Sequence, residues 1–201
     1  MSPCHPFTLS CILVNRMGHH SNIALADRVA ALPKPTASWP KWIVTGGGVG
    51  FLRPAPGSWG TVPPAMLFLL LLLLNVGDPL RSIIFIAFGL LASILLIAWG
   101  KWAAAYFREA DPGQVILDEY AGFAVTVLFM PIPIWCGDDP FRLFVFTAAL
   151  YILFRATDTL KLPPCRTLER LPWGWGILCD DLAAGLQANL IAQLVIQFWH
   201  L

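Results

Sequence analysis

The amino-acid sequence describes an all-α, polytopic membrane bundle with about four to five spanning or membrane-dipping helices. Hydrophobic residues make up 57% of the chain and charged residues 12%, roughly half the ~25% charged share of a soluble domain. Mean hydropathy is +0.68, and a water-soluble core of 201 residues cannot hide that much apolar surface. Five stretches without a charged side chain can cross or enter a bilayer: Pro54–Gly77, Ser82–Gly100, Tyr120–Gly137, Leu143–Phe154 and Leu182–Leu201.

A spanning helix takes about 20 residues at 1.5 Å per residue. Ser82–Gly100 and Leu182–Leu201 meet that length. The apolar part of the first stretch, Ala65–Val76, is short and is expected to tilt or to dip and return. Tyr120–Gly137 carries Pro131 and Pro133 and should kink or break toward its end. Leu143–Phe154 is short but extends backward through Phe141 and Arg142. Residues 1–40 contain proline-rich polar text and an apolar patch, FTLSCILV, too short to span. They are expected to form a loose or interfacial extension ahead of a membrane domain over 41–201, and they fit a signal peptide poorly.

If each stretch crosses once, the connectors alternate sides and the basic residues divide eleven to two. Only Arg81 and Arg142 fall on the poorer side. The positive-inside rule assigns the richer side to the cytoplasm. Asp111, Asp118, Glu119, Asp158, Asp180 and Asp181 gather on that same side, each near the end of a stretch. Headgroup-level solvation explains one or two such acids. It explains six from two separate connectors poorly.

Net charge is +1, so no global field points to nucleic acid. Five cysteines without CxxC spacing argue against a zinc or disulfide framework, and the four histidines all lie near the chain ends. The acids therefore carry the chemistry. Ionised carboxylates at a membrane boundary are expensive unless they are paired or hold a cation. Oxygen ligands without imidazole or thiolate suit Mg²⁺, which bridges carboxylates to phosphate. Arg155, Asp158 and Lys161, three apart, share one helix face. Arg155, Lys161 and Arg53 can counter the charge of a phosphate. The loop GGGVGFLRPAPGSWGT, running straight into an apolar helix, offers backbone N–H donors for an anion.

In chain order, PAPGSWGT, DEYAG, RATDTLKLPP and GILCDDLAAG resemble the motifs of the phosphatidylglycerophosphatase A family over about residues 44 to 195. The resemblance implies a Mg²⁺-dependent phosphatase of the bacterial inner membrane that converts phosphatidylglycerophosphate to phosphatidylglycerol, with its site facing the cytoplasm. It implies catalytic roles for Asp118, Glu119, Asp158 and Asp181, with Asp180 joining these four as metal ligands. It implies phosphate contacts from Arg53, Gly57, Ser58, Thr61, Arg155 and Lys161. Ser58 stands for the usual threonine, Leu162 for a proline, Trp173 for a glycine and Glu169 for an aspartate. The rival class is a transporter or channel that uses membrane carboxylates as an ion path, although no inverted repeat is visible. The signatures of CDP-alcohol phosphotransferases and of histidine-based lipid phosphatases are missing. Trp99, Trp102, Tyr106, Trp135, Trp173 and Trp175 read as interface anchors. Gly122 and Gly185, just past the acidic doublets, read as points of close helix packing.

Overall fold

Glycine and proline set most of the helix boundaries. The computed structural model describes residues 29–160 and 174–199. A short helix, α1 (Pro40–Val44), leads into a 3₁₀ segment over Gly46–Phe51. Five further helices follow: α2 (Pro56–Leu73), α3 (Asp78–Phe107), α4 (Leu117–Thr126), α5 (Pro140–Leu160) and α6 (Gly174–Trp199). Proline occupies the first helical positions of α1, α2 and α3, where its missing N–H costs nothing. No strand occurs among the described residues.

Helices α2, α3 and α5 are long and apolar enough to cross a membrane. At 1.5 Å per residue, the 18 residues of α2 reach about 27 Å and the 30 of α3 about 45 Å. The expected short first stretch is thus a full-length helix. The C-terminal part of α3 carries an aromatic cluster in which Trp102 stacks on Tyr106 with ring centroids 4.7 Å apart. Large apolar side chains such as Leu80, Ile83, Leu90 and Ile94 stand exposed on the outside of α3. A surface of that kind suits lipid rather than water.

The stretch Tyr120–Gly137 differs from a spanning helix. Only Leu117–Thr126 is α-helical, ten residues or about 15 Å. The helix stops before Pro131, so the prolines are not what ends it. Beyond Thr126 the chain continues irregularly to Pro140. Such an end leaves carbonyls and N–H groups without intrahelical partners, and in an apolar slab each must be satisfied by protein. Asn189 on α6 donates to the carbonyls of Val125 (3.2 Å), Thr126 (2.9 Å) and Leu128 (2.8 Å). Gln193 fixes the Asn189 amide by donating to its Oδ1 at 2.8 Å. Ser82 Oγ accepts the Phe129 N–H at 3.1 Å. Arg81, almost fully buried, donates to the Met130 carbonyl at 3.0 Å and pairs with Asp78 at 2.6 Å.

Around α4 the other helices close a core in which Phe68 meets Phe85 at 5.9 Å and Phe123 meets Phe154 at 6.0 Å. The closest approach is between α4 and α6. A Cβ on Gly185 would strike the Gly122 carbonyl, and one on Gly122 would lie 2.8 Å from the Asp181 carbonyl. Both glycines therefore serve the close packing that the sequence suggests. Helix ends alternate as the charge count requires. The starts of α2, α4 and α6 and the end of α5 meet at one level, with the end of α3 joined through Phe107 and Phe51. Arg81, Met130 and Asp78 mark the opposite level.

Replacing Asn189 with leucine removes the side-chain donor from the carbonyls of Val125, Thr126 and Leu128. We expect a stability loss of about 2–3 kcal/mol, read as a lowered melting temperature in detergent; an unchanged melting temperature would refute the capping role.

Candidate active site

Each acidic doublet sits at the start of a helix. Asp118 and Glu119 lie in the first turn of α4, where the positive end of the helix favours acids. Asp118 Oδ1 accepts the Glu119 N–H at 3.1 Å. Asp180 and Asp181 lie in the second turn of α6. Asp158 comes from the last turn of α5. All four doublet carboxylates are buried, none more than 9% exposed, so their gathering is not a solvated surface patch.

The acids form two overlapping triads. Asp118, Glu119 and Asp181 offer oxygens within 4.8 Å of one another, and so do Asp158, Asp180 and Asp181. Asp181 belongs to both and is the hub. Arg155, one turn before the end of α5, lies between the groups. Its Nη1 is 3.0 Å from Asp158 Oδ2 and 3.7 Å from Glu119 Oε1. Among the described residues, five carboxylates gather around Arg155, so negative charge dominates the site.

Burial drives the Asp118 carboxyl up to about 6. Burial and then the Asp118 charge hold Glu119 well above the usual carboxylate range, while Arg155 works against that rise. Both residues lie outside the three spanning helices. Glu119 Oε2 is buried and has no hydrogen-bond partner among the protein groups. Crowded, desolvated carboxylates with a spare oxygen acceptor fit a hard cation, which would lower the cost of ionising them together. The donor set therefore passes the test for a metal ion.

The second wall of the site is the start of α2. A Cβ on Gly57 would collide with Glu119 Oε1 and lie 3.1 Å from Arg155 Nη2. Only glycine allows this helix start to approach so closely. Ser58 is held by Tyr151, whose hydroxyl donates to the Ser58 carbonyl at 3.1 Å. Thr61 is fully buried and turns its hydroxyl onto the Gly57 carbonyl at 3.0 Å, so that hydroxyl braces the helix start. Arg53 is exposed just ahead of α2. Lys161 falls outside the described residues.

The glycine run at 46–50 is mainly a packing device. Gly46, Gly47 and Gly48 adopt φ values of 54°, 73° and 103°, a region other residues enter at a cost. Gly46 lies against Tyr120 and Ile116, and Gly50 against the Gln114 carbonyl. The Ile116 N–H donates to the Val44 carbonyl at 3.1 Å. The loop thus clamps the segment that launches Asp118 and Glu119. Of the whole glycine-rich stretch, Gly57 is the glycine that touches the charged groups.

Sequence motifs did not reveal Asn189, Ser82 or Tyr151. A signal for Asn189 exists in the i+4 series Asp181, Gly185, Asn189, Gln193, which places all four on one face of α6. Tyr151 sits one turn before Arg155 in the same way.

Residues 42–196 match the family described as phosphatidylglycerophosphatase A. The chain is 31% identical over 160 residues to phosphatidylglycerophosphatase A of Haemophilus influenzae, covering 79% of this chain and 89% of the relative. It is 28% identical over 155 residues to a Bacteroides thetaiotaomicron protein provisionally named a phosphatidylinositol-3-phosphatase, covering 76% and 90%. It is 29% identical over 92 residues to phosphatidylglycerophosphatase A of Escherichia coli, covering 45% and 48%. No solved structure matches.

The hub position of Asp181 yields a measurable outcome. A divalent cation at 100 times its dissociation constant should raise the melting temperature by about 5 °C or more. Asp181→Asn should lose that increment more completely than Asp158→Asn; equal, full stabilisation of both variants would rule out the hub.

Proposed function

The chain belongs to the phosphatidylglycerophosphatase A family, and from that premise we propose that it hydrolyses phosphatidylglycerophosphate to phosphatidylglycerol and phosphate with Mg²⁺ as cofactor. Family membership makes it a phosphatase of a membrane-embedded helical type. The observation that carries the finer reading is the single cluster of Asp118, Glu119, Asp158, Asp180 and Asp181 beside Arg155 and the start of α2.

These residues divide the work by their chemistry. The carboxylates of Asp118, Glu119, Asp158, Asp180 and Asp181 would hold the metal. When bound, Mg²⁺ supplies charge neutralisation for the phosphoryl group. Arg155 presents a forked pair of donors to phosphate oxygens, and its contacts to Glu119 and Asp158 hold that fork in place. The N–H groups at the start of α2 face the same region, where a helix N-terminus favours an anion. Arg53, exposed just ahead of α2, adds positive charge there, and Lys161 is proposed as a phosphate contact from the family motif alone.

The attacking group in this reading is water. The chain lacks the D-x-D-x-T/V pattern of phosphatases that form an aspartyl phosphate. Water oxygen bonds to phosphorus as the bond to the lipid glycerol oxygen breaks. A carboxylate of the Asp118–Asp181 pair takes the water proton, and that proton is returned to the departing glycerol alkoxide, which leaves as the free alcohol and regenerates the carboxylate. A base must reach the proton of the attacking water, and Asp118 and Asp181, which share one triad, are the candidates for it. The lipid's acyl chains remain in the bilayer, with the phosphate at the level where the helix starts meet. The eleven-to-two division of basic residues supports placing that level on the cytoplasmic face of a bacterial inner membrane.

An ion pathway is the weaker reading. The carboxylates collect at one end of the bundle, and the opposite end is closed by Arg81 with Asp78 and Met130.

Purified protein should release phosphate from phosphatidylglycerophosphate with Mg²⁺ and not with chelator. Preferential release from phosphatidylinositol 3-phosphate would move the substrate toward that of the Bacteroides relative. Arg155→Lys should cut kcat/KM by about 10–100-fold through loss of the forked contact; unchanged kinetics would remove Arg155 from phosphate binding.

A further inference from the structure

The first two turns of α2 are weakly tied to the rest of that helix. Pro63 and Pro64 lie inside α2 and have no N–H, so the carbonyls of Trp59 and Gly60 lose their usual donors four residues on. Two of the main-chain bonds that would couple this start to the apolar part of the helix are therefore missing. Yet the same start is a wall of the charged site. A Cβ on Gly57 would meet Glu119 Oε1 and both terminal nitrogens of Arg155. The N–H groups of Gly57 and Ser58 lie in the first turn, ahead of any intrahelical acceptor. Contacts from other helices must fix where they stand.

Ile116 packs against Gly60, a contact without direction. The directed contact comes from α5, where the Tyr151 hydroxyl donates to the Ser58 carbonyl at 3.1 Å. The Tyr151 ring is partly buried against the apolar core, which leaves its hydroxyl to reach the main chain of α2. Arg155 and Asp158 follow Tyr151 at four and seven residues, on the same face of α5. One helix face thus carries the guanidinium, the carboxylate that steadies it at 3.0 Å, and the hydroxyl that ties the opposing helix start to both.

Resting on the phosphatase reading above, we propose that Tyr151 is a positioning residue: its hydroxyl holds the start of α2 against Arg155, so that the α2 N–H groups and the guanidinium close on the substrate phosphate together. Tyr151 acts through these groups and does not itself meet the phosphate. Phenylalanine at this position keeps the ring and its packing and removes only the bond. Contacts to the phosphate are made in the bound substrate as well as in the transition state, so the loss falls on binding: KM rises while kcat is held.

The test compares wild type, Tyr151→Phe and Tyr106→Phe on phosphatidylglycerophosphate in mixed micelles with Mg²⁺. Tyr106→Phe is the matched control, removing a hydroxyl from the aromatic cluster of α3. Tyr151→Phe should raise both KM and the inhibition constant of inorganic phosphate by about five- to tenfold, with kcat nearly unchanged. Its rise in melting temperature with Mg²⁺ should match that of wild type, because every carboxylate is intact. Tyr106→Phe should leave KM and phosphate inhibition as they were. Unchanged KM and phosphate inhibition in Tyr151→Phe overturn the proposal even if its melting temperature falls, since the bond then serves stability alone. A fall in kcat at constant KM, or loss of the Mg²⁺ increment, overturns it too, because the damage then lies in the carboxylates. Absence of phosphate release by wild type would instead defeat the phosphatase reading itself.

Discussion

An α-helix that stops halfway through an apolar slab must have its broken end satisfied by protein, and this constraint organises the molecule. The half-helix α4 ends at Thr126. Its loose carbonyls are taken by Asn189, and the chain beyond it by Ser82 and Arg81. Water cannot reach such groups in hydrocarbon, and each left bare costs several kcal/mol. The donors come from both long neighbours, α3 and α6, so one local break in regular structure fixes the relative register of three elements. Arg81 adds a buried cation, tolerable because Asp78 and two carbonyls receive it.

The far end of the same half-helix bears two of the clustered acids. Because α4 is anchored at its base, its first turn is held with Asp118 and Glu119 facing Asp181 of α6. Gly122 and Gly185 remove the side chains that would hold α4 and α6 apart, one turn below the acids. Close backbone contact there is a condition for carboxylates from two helices to share a space of 4.8 Å. Gly57 plays the same part for the third wall. Small residues thus do indirectly what the acids need: they let charged groups be crowded, and crowding is what makes a cation welcome. The membrane setting strengthens the effect, since low polarity beneath the site raises the cost of leaving those charges uncompensated.

The distribution of polar and apolar groups along the bundle axis also separates two tasks. In the proposed reading, phosphate chemistry occupies the level where the starts of α2 and α4 meet, and their N–H groups add positive potential there. Below it the surface is almost wholly apolar, continuous with lipid. A substrate with a charged head and greasy tails meets each part of the protein at its own depth without leaving the bilayer.

Much of this was legible in the residues alone. Composition and charge-free stretches determined a helical membrane bundle, because apolar excess has no other stable home. Counting five charge-free stretches as single crossings grouped the helix ends by level, and the order of four motifs determined the family. The acids of the site could be named from their doublets and from the three-residue spacing of Arg155 and Asp158. The tertiary structure decided the rest. It decided that the third stretch is half a helix, ended by tertiary hydrogen bonds rather than by Pro131. It made the 46–50 glycines a clamp on the segment before Asp118, left Gly57 alone among the charges, and turned the Thr61 hydroxyl inward. It made Asp181 the acid common to both triads. Local sequence carries propensity, periodicity and charge. Which carbonyl Asn189 caps, or which glycine meets Glu119, depends on residues scores of positions apart, and only packing in three dimensions brings them together.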